Sequence, residues 1–192
     1  MRKILILTCF LFSINLMAQT KMNKDTALLI IDVQNFYYPG GKSELVNPEP
    51  AGENAAKLLD YFRKKGMFVV HVRHNSEPGG EIHKDVKPIE GEKIISKDEV
   101  NCFKNTDLLE FLKSKNIKCL VICGMQTHMC VEAATRAASD FDYDCIVVHD
   151  ACATKNLIFN NKEVKAEDVH NSTLATLKSY AKVVDTESII GK

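Results

Sequence analysis

The sequence lacks an excess of charge of either sign, because its 25 Lys and Arg residues are balanced by 25 Asp and Glu residues. It also lacks basic clusters, internal repeats and low-complexity tracts, so nothing indicates binding to nucleic acid or to an anionic membrane surface. A glycine-rich dinucleotide fingerprint and a phosphate-binding loop are both missing, which disfavours nucleotide-binding versions of an α/β fold. The expected partner is therefore a small molecule.

Long apolar runs are absent except at the beginning of the chain. Arg2 and Lys3 precede the apolar segment 4–16, which is followed by a small residue, Ala18. This pattern predicts a signal peptide over residues 1–18, cleaved after Ala18, rather than an uncleaved anchor. The apolar segment is too short for an ordinary membrane span. We therefore expect one mature domain, residues 19–192, exported to the periplasm or the medium, with no membrane attachment after cleavage.

The mature chain has an even number of cysteines, which would be compatible with disulfides in an oxidising compartment. Cys119 and Cys123 lie four residues apart in one apolar run, roughly 13 Å apart on a strand and beyond the limit of about 7 Å for a bridge. They are predicted core residues. Pairing of Cys102, Cys145 or Cys152 is left open by the sequence.

Apolar segments of strand length alternate with segments of helical periodicity along the mature chain. Strands are predicted at residues 26–32, 67–72, 93–96, 119–123, 143–149 and 182–185, and helices at 51–65, 107–115, 130–138 and 163–180. The segments 33–50 and 75–91 are rich in Gly and Pro and are predicted loops. This alternation predicts an α/β fold, a three-layer α/β/α sandwich with a mainly parallel, Rossmann-like sheet.

Three polar residues follow predicted buried strands at the edge where ligands bind in open α/β sheets. Asp32 ends the first strand, Lys97 follows the third, and Cys130 stands between the fourth strand and a helix. Each has a structural alternative: a cap or turn for Asp32, a solvated position for Lys97 and core packing for Cys130. Together they form a chemically sensible set, and a helix N-terminus is expected to favour a Cys130 thiolate.

These residues lie in motifs through which the chain resembles the isochorismatase-like cysteine hydrolases, a superfamily that includes nicotinamidases and other amidases. The motifs are Leu29-Ile-Ile-Asp32-Val-Gln34-Asn-Phe36, Val70-His-Val-Arg73-His74, Ile95-Ser-Lys97 with Phe103 downstream, Gly124-Met-Gln-Thr127-His-Met-Cys130-Val131, and Asp150-Ala-Cys-Ala-Thr154. They span nearly all of the mature chain in the expected order.

The resemblance implies a catalytic triad in which Cys130 is the nucleophile, Asp32 the general base and Lys97 the residue that orients and charges the pair. It also implies an oxyanion hole formed by the backbone N–H groups of Gln126 and Cys130, and a cis peptide bond between Met125 and Gln126. The implied chemistry is attack on a carbonyl carbon, loss of an amine and hydrolysis of a thioester.

The same motifs supply candidate substrate-binding residues. These are Gln34, Phe36, His74, Phe103, Thr127 and His128. Phe36 and its two neighbouring tyrosines are expected either to form an apolar wall or to close the sheet edge. Thr127 has an alternative role as a helix cap, and His128 could instead contact a neighbouring subunit.

A catalytic metal is not expected. Nicotinamidases of the superfamily carry an Asp-x-His metal motif after the second strand, whereas this chain has Arg73-His74-Asn75 at that place. His71 and His74 lie three residues apart on a strand and are expected to point to opposite faces, which makes them a poor chelating pair. The sequence therefore predicts neither a metal nor another cofactor.

The sequence predicts a hydrolase that cleaves a C–N bond of a small amide through Cys130. The alternatives are nicotinamidase or isochorismatase activity, or a catalytically silent binding or thiol protein on the same fold. The absence of a Cys-x-x-Cys pairing around Cys130 argues against a redox protein. The resemblance also implies a homo-oligomer.

Overall fold

The computed structural model describes residues 23–191, so the predicted signal peptide lies outside the described part of the chain. Eight strands and five helices follow each other in sequence. The strands are β1 (Thr26–Ile31), β2 (Phe68–His74), β3 (Lys93–Lys97), β4 (Cys119–Met125), β5 (Asp144–Ala153), β6 (Leu157–Phe159), β7 (Lys162–Val164) and β8 (Lys182–Val184). The helices are α1 (Pro48–Lys64), α2 (Leu108–Ser114), α3 (Glu132–Asp140), α4 (Ala166–Leu177) and α5 (Thr186–Ile190).

Six of the strands form one parallel sheet in the order β3-β2-β1-β4-β5-β8. The chain moves in one direction from β1 to β3 and in the other from β4 to β8, so the strand order reverses between β1 and β4. Helix α1 connects β1 to β2, and α3 connects β4 to β5. Because such crossovers are right-handed, the two helices lie on opposite faces of the sheet. The predicted three-layer α/β/α fold is confirmed.

The core is centred on β1, whose six residues are all buried. A central parallel strand is covered on both faces, which is why this segment is continuously apolar. Cys123 is fully buried and Cys119 partly buried in β4, and the six cysteines of residues 23–191 are all free thiols. Within the same residues, no helix has both the length and the apolar character of a membrane span.

The last third of the chain differs from the predicted elements. The helix predicted at 163–180 covers only 166–177, because β6 and β7 form an antiparallel hairpin before it. Asn160 and Asn161 turn this hairpin with φ angles of +50° and +58°, the left-handed region that asparagine tolerates well. A further short helix, α5, is capped by Asp185, whose carboxylate accepts the N–H of Ser188 at 2.8 Å.

Gly124 allows β4 to approach the end of β1. A Cβ built on Gly124 would lie 1.9 Å from the carbonyl oxygen of Ile31, and its φ angle is +126°. We expect Gly124→Ala to lower the free energy of unfolding by about 3 kcal/mol or more, since it combines backbone strain with overlap against main chain. Gly66→Ala is the matched control: φ is +61° there but no heavy atom lies within 4 Å. Urea denaturation would test this, and equal losses in both variants would contradict the packing argument.

Candidate active site

The carboxyl edge of the sheet brings together the three residues predicted as a triad. The Nζ atom of Lys97 lies 2.7 Å from Oδ2 of Asp32 and 3.3 Å from Sγ of Cys130. The side chains of Asp32 and Lys97 are inaccessible to solvent, and Cys130 is 6% exposed. The buried ammonium of Lys97 therefore lies between the carboxyl group of Asp32 and the thiol of Cys130.

Asp32 is placed by the end of β1. It has a φ angle of +49°, so the chain turns sharply after Ile31. Its backbone N–H still donates to the carbonyl of Val72 in β2 at 2.9 Å, which ties the turn to the neighbouring strand. Since β1 and β4 border the point where the strand order reverses, Asp32 and Cys130 flank the crevice in which α/β proteins bind ligands.

Lys97 reaches this crevice from two strands away. It is the last residue of β3, and β2 separates β3 from β1, a distance of about 10 Å across the sheet. The long side chain of Lys97 and the side chain of Asp32 extend toward each other, and together they close this gap. His74, which pairs with Lys97 in the sheet register, lies beside the same ammonium.

Cys130 lies in a single π-helical turn, Thr127–Val131, that continues into α3. The N–H of Val131 donates to the carbonyl of Gln126, five residues earlier, at 3.3 Å. The peptide bond between Met125 and Gln126 is cis. The helical segment thus begins three residues before the predicted position, and Cys130 lies within its first turn. The oxyanion hole at the Gln126 and Cys130 N–H groups stays a prediction.

The charges of the triad follow from its burial. Burial raises the pKa of Asp32, and the attraction of Lys97 offsets only part of that rise. Burial and then the carboxylate of Asp32 raise the pKa of Cys130 to about 12, although Lys97 lowers it. Burial opposes the ammonium form of Lys97, but Asp32 and Cys130 together hold its pKa above the ordinary value.

A buried site disfavours net charge, so the resting triad contains an ammonium, a carboxylate and a neutral thiol. The proton stays on sulfur because a thiol is intrinsically a much weaker acid than a carboxyl group. The thiolate expected from the helix N-terminus is therefore wrong for the free site. Asp32 is the acceptor that lies next to this proton.

This arrangement predicts opposite effects of two substitutions on thiol reactivity. We expect Asp32→Asn to speed the alkylation of Cys130 by iodoacetamide at neutral pH by about tenfold or more, because the carboxylate that raises the pKa of the thiol is gone. Lys97→Met should slow alkylation, because the cation that lowers this pKa is removed. Mass spectrometry of Cys130 against pH measures both rates, and slower alkylation of Asp32→Asn would refute the charge assignment.

Gln34 lies behind the site and interacts with main chain. Its Oε1 accepts the N–H of His74 at 2.8 Å, and its Nε2 donates to the carbonyls of His74 at 2.9 Å and of Gly80 at 2.6 Å. The side chain is fully buried. Both N–H donors of the amide are thus used to hold the end of β2 and the loop that follows it. Binding of substrate by Gln34 stays a prediction.

Phe36 and Phe103 are both buried near the strand ends. The Phe36 ring meets that of Tyr37 edge to face, with centroids 4.3 Å apart. The Phe103 ring lies 5.4 Å from that of Phe141, at the end of α3. The aromatic segment after Asp32 is therefore buried. Burial agrees with both expected roles, an apolar wall beside the site and a cover over the sheet edge.

Thr127 does not cap the helix. It is fully buried, its hydroxyl donates to the carbonyl of Ala153 at 3.2 Å, and its oxygen lies 2.9 Å from Nδ1 of His170. Because the single hydroxyl proton is used for Ala153, His170 donates from Nδ1 to Thr127. His128 contacts the hydroxyl of Thr154 through Nδ1, and burial lowers the pKa of His128.

His170 is a site residue that the sequence reasoning missed. It lies in α4, 43 residues from Thr127, and supports the turn that carries Cys130. Gln126 is likewise held from a distance, since its Nε2 donates to the Tyr37 hydroxyl at 3.2 Å. No local pattern signals either contact, because both depend on how separate elements meet.

The residues after β2 do not fit a divalent metal. His71 is buried and binds Glu92 through Nε2 at 2.9 Å, whereas His74 faces the ammonium of Lys97 at 3.5 Å. The segment Arg73-His74-Asn75 also lacks the aspartate that the resemblance to nicotinamidases leads one to expect there. Within residues 23–191 no group of three or more His, Cys, Asp or Glu side chains has a suitable arrangement. A metal-free site stays a prediction.

The protein has a three-layer α/β/α fold, and its buried triad lies where the strand order reverses between β1 and β4. This combination defines a hydrolase of the α/β class with a thiol in its candidate active site. Residues 26–188 match the Isochorismatase domain, and the chain belongs to the isochorismatase family.

Three comparisons illustrate the relationship. The chain is 47% identical over 177 residues to the uncharacterised isochorismatase family protein YddQ of Bacillus subtilis, covering 86% of this chain and 98% of that protein. It is similar to the structure of an isochorismatase hydrolase from Oleispira antarctica, with 43% identity, a TM-score of 0.85 and coverage of 90% and 100%. It is 30% identical over 166 residues to a streptothricin hydrolase of Streptomyces noursei, covering 81% and 57%.

Proposed function

We propose that this isochorismatase-family hydrolase cleaves the C–N bond of a small amide through a thioester on Cys130. The observation that carries the proposal is the position of Lys97 Nζ, within hydrogen-bonding distance of both Asp32 Oδ2 and Cys130 Sγ in a buried site. An acid, a fixed cation and a thiol in contact are the elements that an activated cysteine requires.

The reaction begins with transfer of the thiol proton from Cys130 to Asp32 as sulfur attacks the amide carbon. The carbonyl oxygen becomes an oxyanion, for which the N–H groups of Gln126 and Cys130 are the proposed donors. Asp32 then gives the proton to the departing amine, and the C–N bond breaks. A water molecule attacks the thioester, passes a proton to Asp32, and the acid product leaves as the thiol re-forms.

The environment supports these roles. Burial raises the pKa of Asp32, so this carboxylate is a stronger base than an exposed aspartate. Lys97 stays an ammonium throughout, because Asp32 and Cys130 hold its pKa high, and it compensates the negative charge that moves between them. The streptothricin hydrolase among the relatives supports the idea that substrates of this family extend beyond isochorismate and nicotinamide.

The alternatives are less well supported. A metal-dependent nicotinamidase would need a set of metal ligands, but Arg73-His74-Asn75 lacks the expected aspartate and His71 binds Glu92. A silent binding protein would have no need of a buried Lys97–Asp32 pair, whose removal from water is costly. Isochorismatase activity would use the same pocket and is distinguished by the substrate.

Export and oligomerisation also enter as proposals. The segment 1–18 is proposed as a cleaved export signal, to be tested by the N-terminal sequence of the protein from cell fractions. A homo-oligomer is favoured by the hairpin β6–β7, where Ile158 and Phe159 are 79% and 73% exposed. Light scattering of the protein and of Phe159→Ser tests this, and a wild-type monomer would refute it.

The proposed activity is tested by incubating the purified protein with a panel of small amides and measuring release of ammonia or amine. We expect turnover of at least one amide and unchanged kcat after exhaustive dialysis against EDTA. Loss of activity with EDTA that zinc or manganese restores would contradict a metal-free mechanism. Hydrolysis of a vinyl ether with no activity on amides would favour the isochorismatase alternative.

A further inference from the structure

Beyond the triad, the ammonium of Lys97 also lies beside His74. An ammonium group has three donors and no acceptor. Its neighbours are Asp32 Oδ2 at 2.7 Å, Cys130 Sγ at 3.3 Å and His74 Nδ1 at 3.5 Å. The ammonium thus lies within 3.5 Å of a carboxylate oxygen, a sulfur and a ring nitrogen.

This contact determines the protonation of the His74 ring. Nδ1 faces a positive charge, so it presents a lone pair, since an N–H or an imidazolium there would repel the ammonium of Lys97. On this ground we assign the acceptor role to Nδ1 and the N–H to Nε2. No hydrogen bond from Nε2 to a residue of the described range 23–191 is formed.

The main chain of His74 is held by hydrogen bonds. The buried amide of Gln34 binds both the N–H and the carbonyl of His74, at 2.8 and 2.9 Å. His74 is also the sheet partner of Lys97, whose carbonyl accepts the N–H of Asn75 at 2.8 Å. Unlike Asp32 and Lys97, His74 is partly exposed. The ring therefore lies between the buried triad and the solvent.

We propose that His74 is a specificity-determining residue whose Nε2–H donates to a hydrogen-bond acceptor of the substrate beside the scissile amide. The contact with Lys97 favours this tautomer, and Gln34 holds the main chain from which the ring extends. The substrate class is thereby narrowed to small amides that carry an oxygen or nitrogen acceptor close to the reacting carbonyl. This inference rests on the proposed function, because it places the substrate next to Cys130.

The tautomer is tested first, without a substrate. In the full-length protein labelled with 15N-histidine, long-range proton–nitrogen spectra near pH 8 should show His74 with a pyridine-like Nδ1 and a protonated Nε2. Lys97→Met should mix the two tautomers, whereas Lys93→Met, a partly exposed lysine of the same strand, should not. A protonated Nδ1 in the wild-type protein would overturn the proposal.

The substrate contact is tested with aldehydes, which react with a cysteine without being hydrolysed. Addition of the Cys130 thiol forms an S–C bond, and the thiol proton ends on the former carbonyl oxygen, giving a thiohemiacetal. Benzaldehyde and the three pyridinecarbaldehydes have nearly the same shape but differ in the presence and position of one acceptor. Their protection of Cys130 against iodoacetamide measures binding in each variant.

The aldehydes differ in their intrinsic reactivity toward thiols, and this difference cancels when the protection by one aldehyde is compared between the wild-type protein and a variant. For each pyridine isomer, the protection is divided by that of benzaldehyde in the same protein. For at least one isomer we expect this ratio to be about fivefold lower in His74→Leu than in wild type, which corresponds to the loss of one neutral hydrogen bond. His74→Gln, which retains a donor near the Nε2 position, should stay within about twofold of wild type. Unchanged ratios for all three isomers in His74→Leu would overturn the proposal. Failure of the proposed function is distinguishable, because every aldehyde would then leave Cys130 unprotected.

Discussion

Replacing Cys130 with alanine is expected to abolish turnover, lowering kcat by about ten-thousand-fold or more. The thiol is the group that would form the bond to carbon, and neither Asp32 nor Lys97 can take its place from within a buried ion pair. The loss should be seen in the steady-state release of amine from whichever amide the wild-type protein turns over. Cys130→Ser should be similarly inactive, because a hydroxyl is a far weaker acid than a thiol.

Cys145→Ala provides the matched control. Cys145 is as well buried as Cys130 but lies near the start of β5, at the opposite edge of the sheet. Its loss should leave kcat within about twofold while costing similar stability. Turnover that survives Cys130→Ala would exclude the thioester route and favour direct attack by water activated by Asp32.

The fold and the identity of the triad could be predicted because both depend on local patterns. The central strands β1 and β4 are nearly continuous apolar runs, and polar residues follow where these strands end. Asp32, Lys97 and Cys130 were found in this way, since strand ends of a parallel sheet share one edge. The resemblance then assigned their roles.

Contacts between distant elements could not be predicted in this way. Gln34 binds His74 forty residues away, and His170 reaches Thr127 from α4. The state of the Cys130 proton was also mispredicted, because a helix N-terminus suggests a thiolate whereas the buried carboxylate beside it favours the thiol. The protonation state of a buried group depends on the charged groups that surround it in the folded protein, and a local sequence pattern does not show which groups these are.

Removal of the triad cation is expected to affect stability as well as activity. Lys97→Met should lower the free energy of unfolding by about 3 to 5 kcal/mol at neutral pH, because the Asp32 carboxylate is left buried without its partner. Lys64→Met is the matched control, since its ion pair with Asp60 is exposed and should contribute less than about 1 kcal/mol. Urea denaturation at several pH values provides the measurement.

The pH dependence of that loss follows from Asp32. Burial already raises the pKa of Asp32 in the presence of Lys97, and removing the cation raises it further. In the pH range between the pKa of Asp32 in the unfolded chain and its higher pKa in the native protein, native Lys97→Met binds more protons than its unfolded chain does. Its stability should therefore fall as pH rises through that range, and the difference from wild type should shrink as pH is lowered. A difference that grows at low pH would contradict a buried, unpaired carboxylate.

A double substitution separates charge from packing. Asp32→Asn with Lys97→Met removes both charges, so we expect it to recover about 2 kcal/mol or more relative to Lys97→Met alone. The double variant should remain inactive, because it has neither base nor cation. Recovery of stability without recovery of turnover would show that the pair is kept for catalysis at a cost in folding. If the double variant is no more stable than Lys97→Met, the loss comes instead from the packing of the lysine stem across β2.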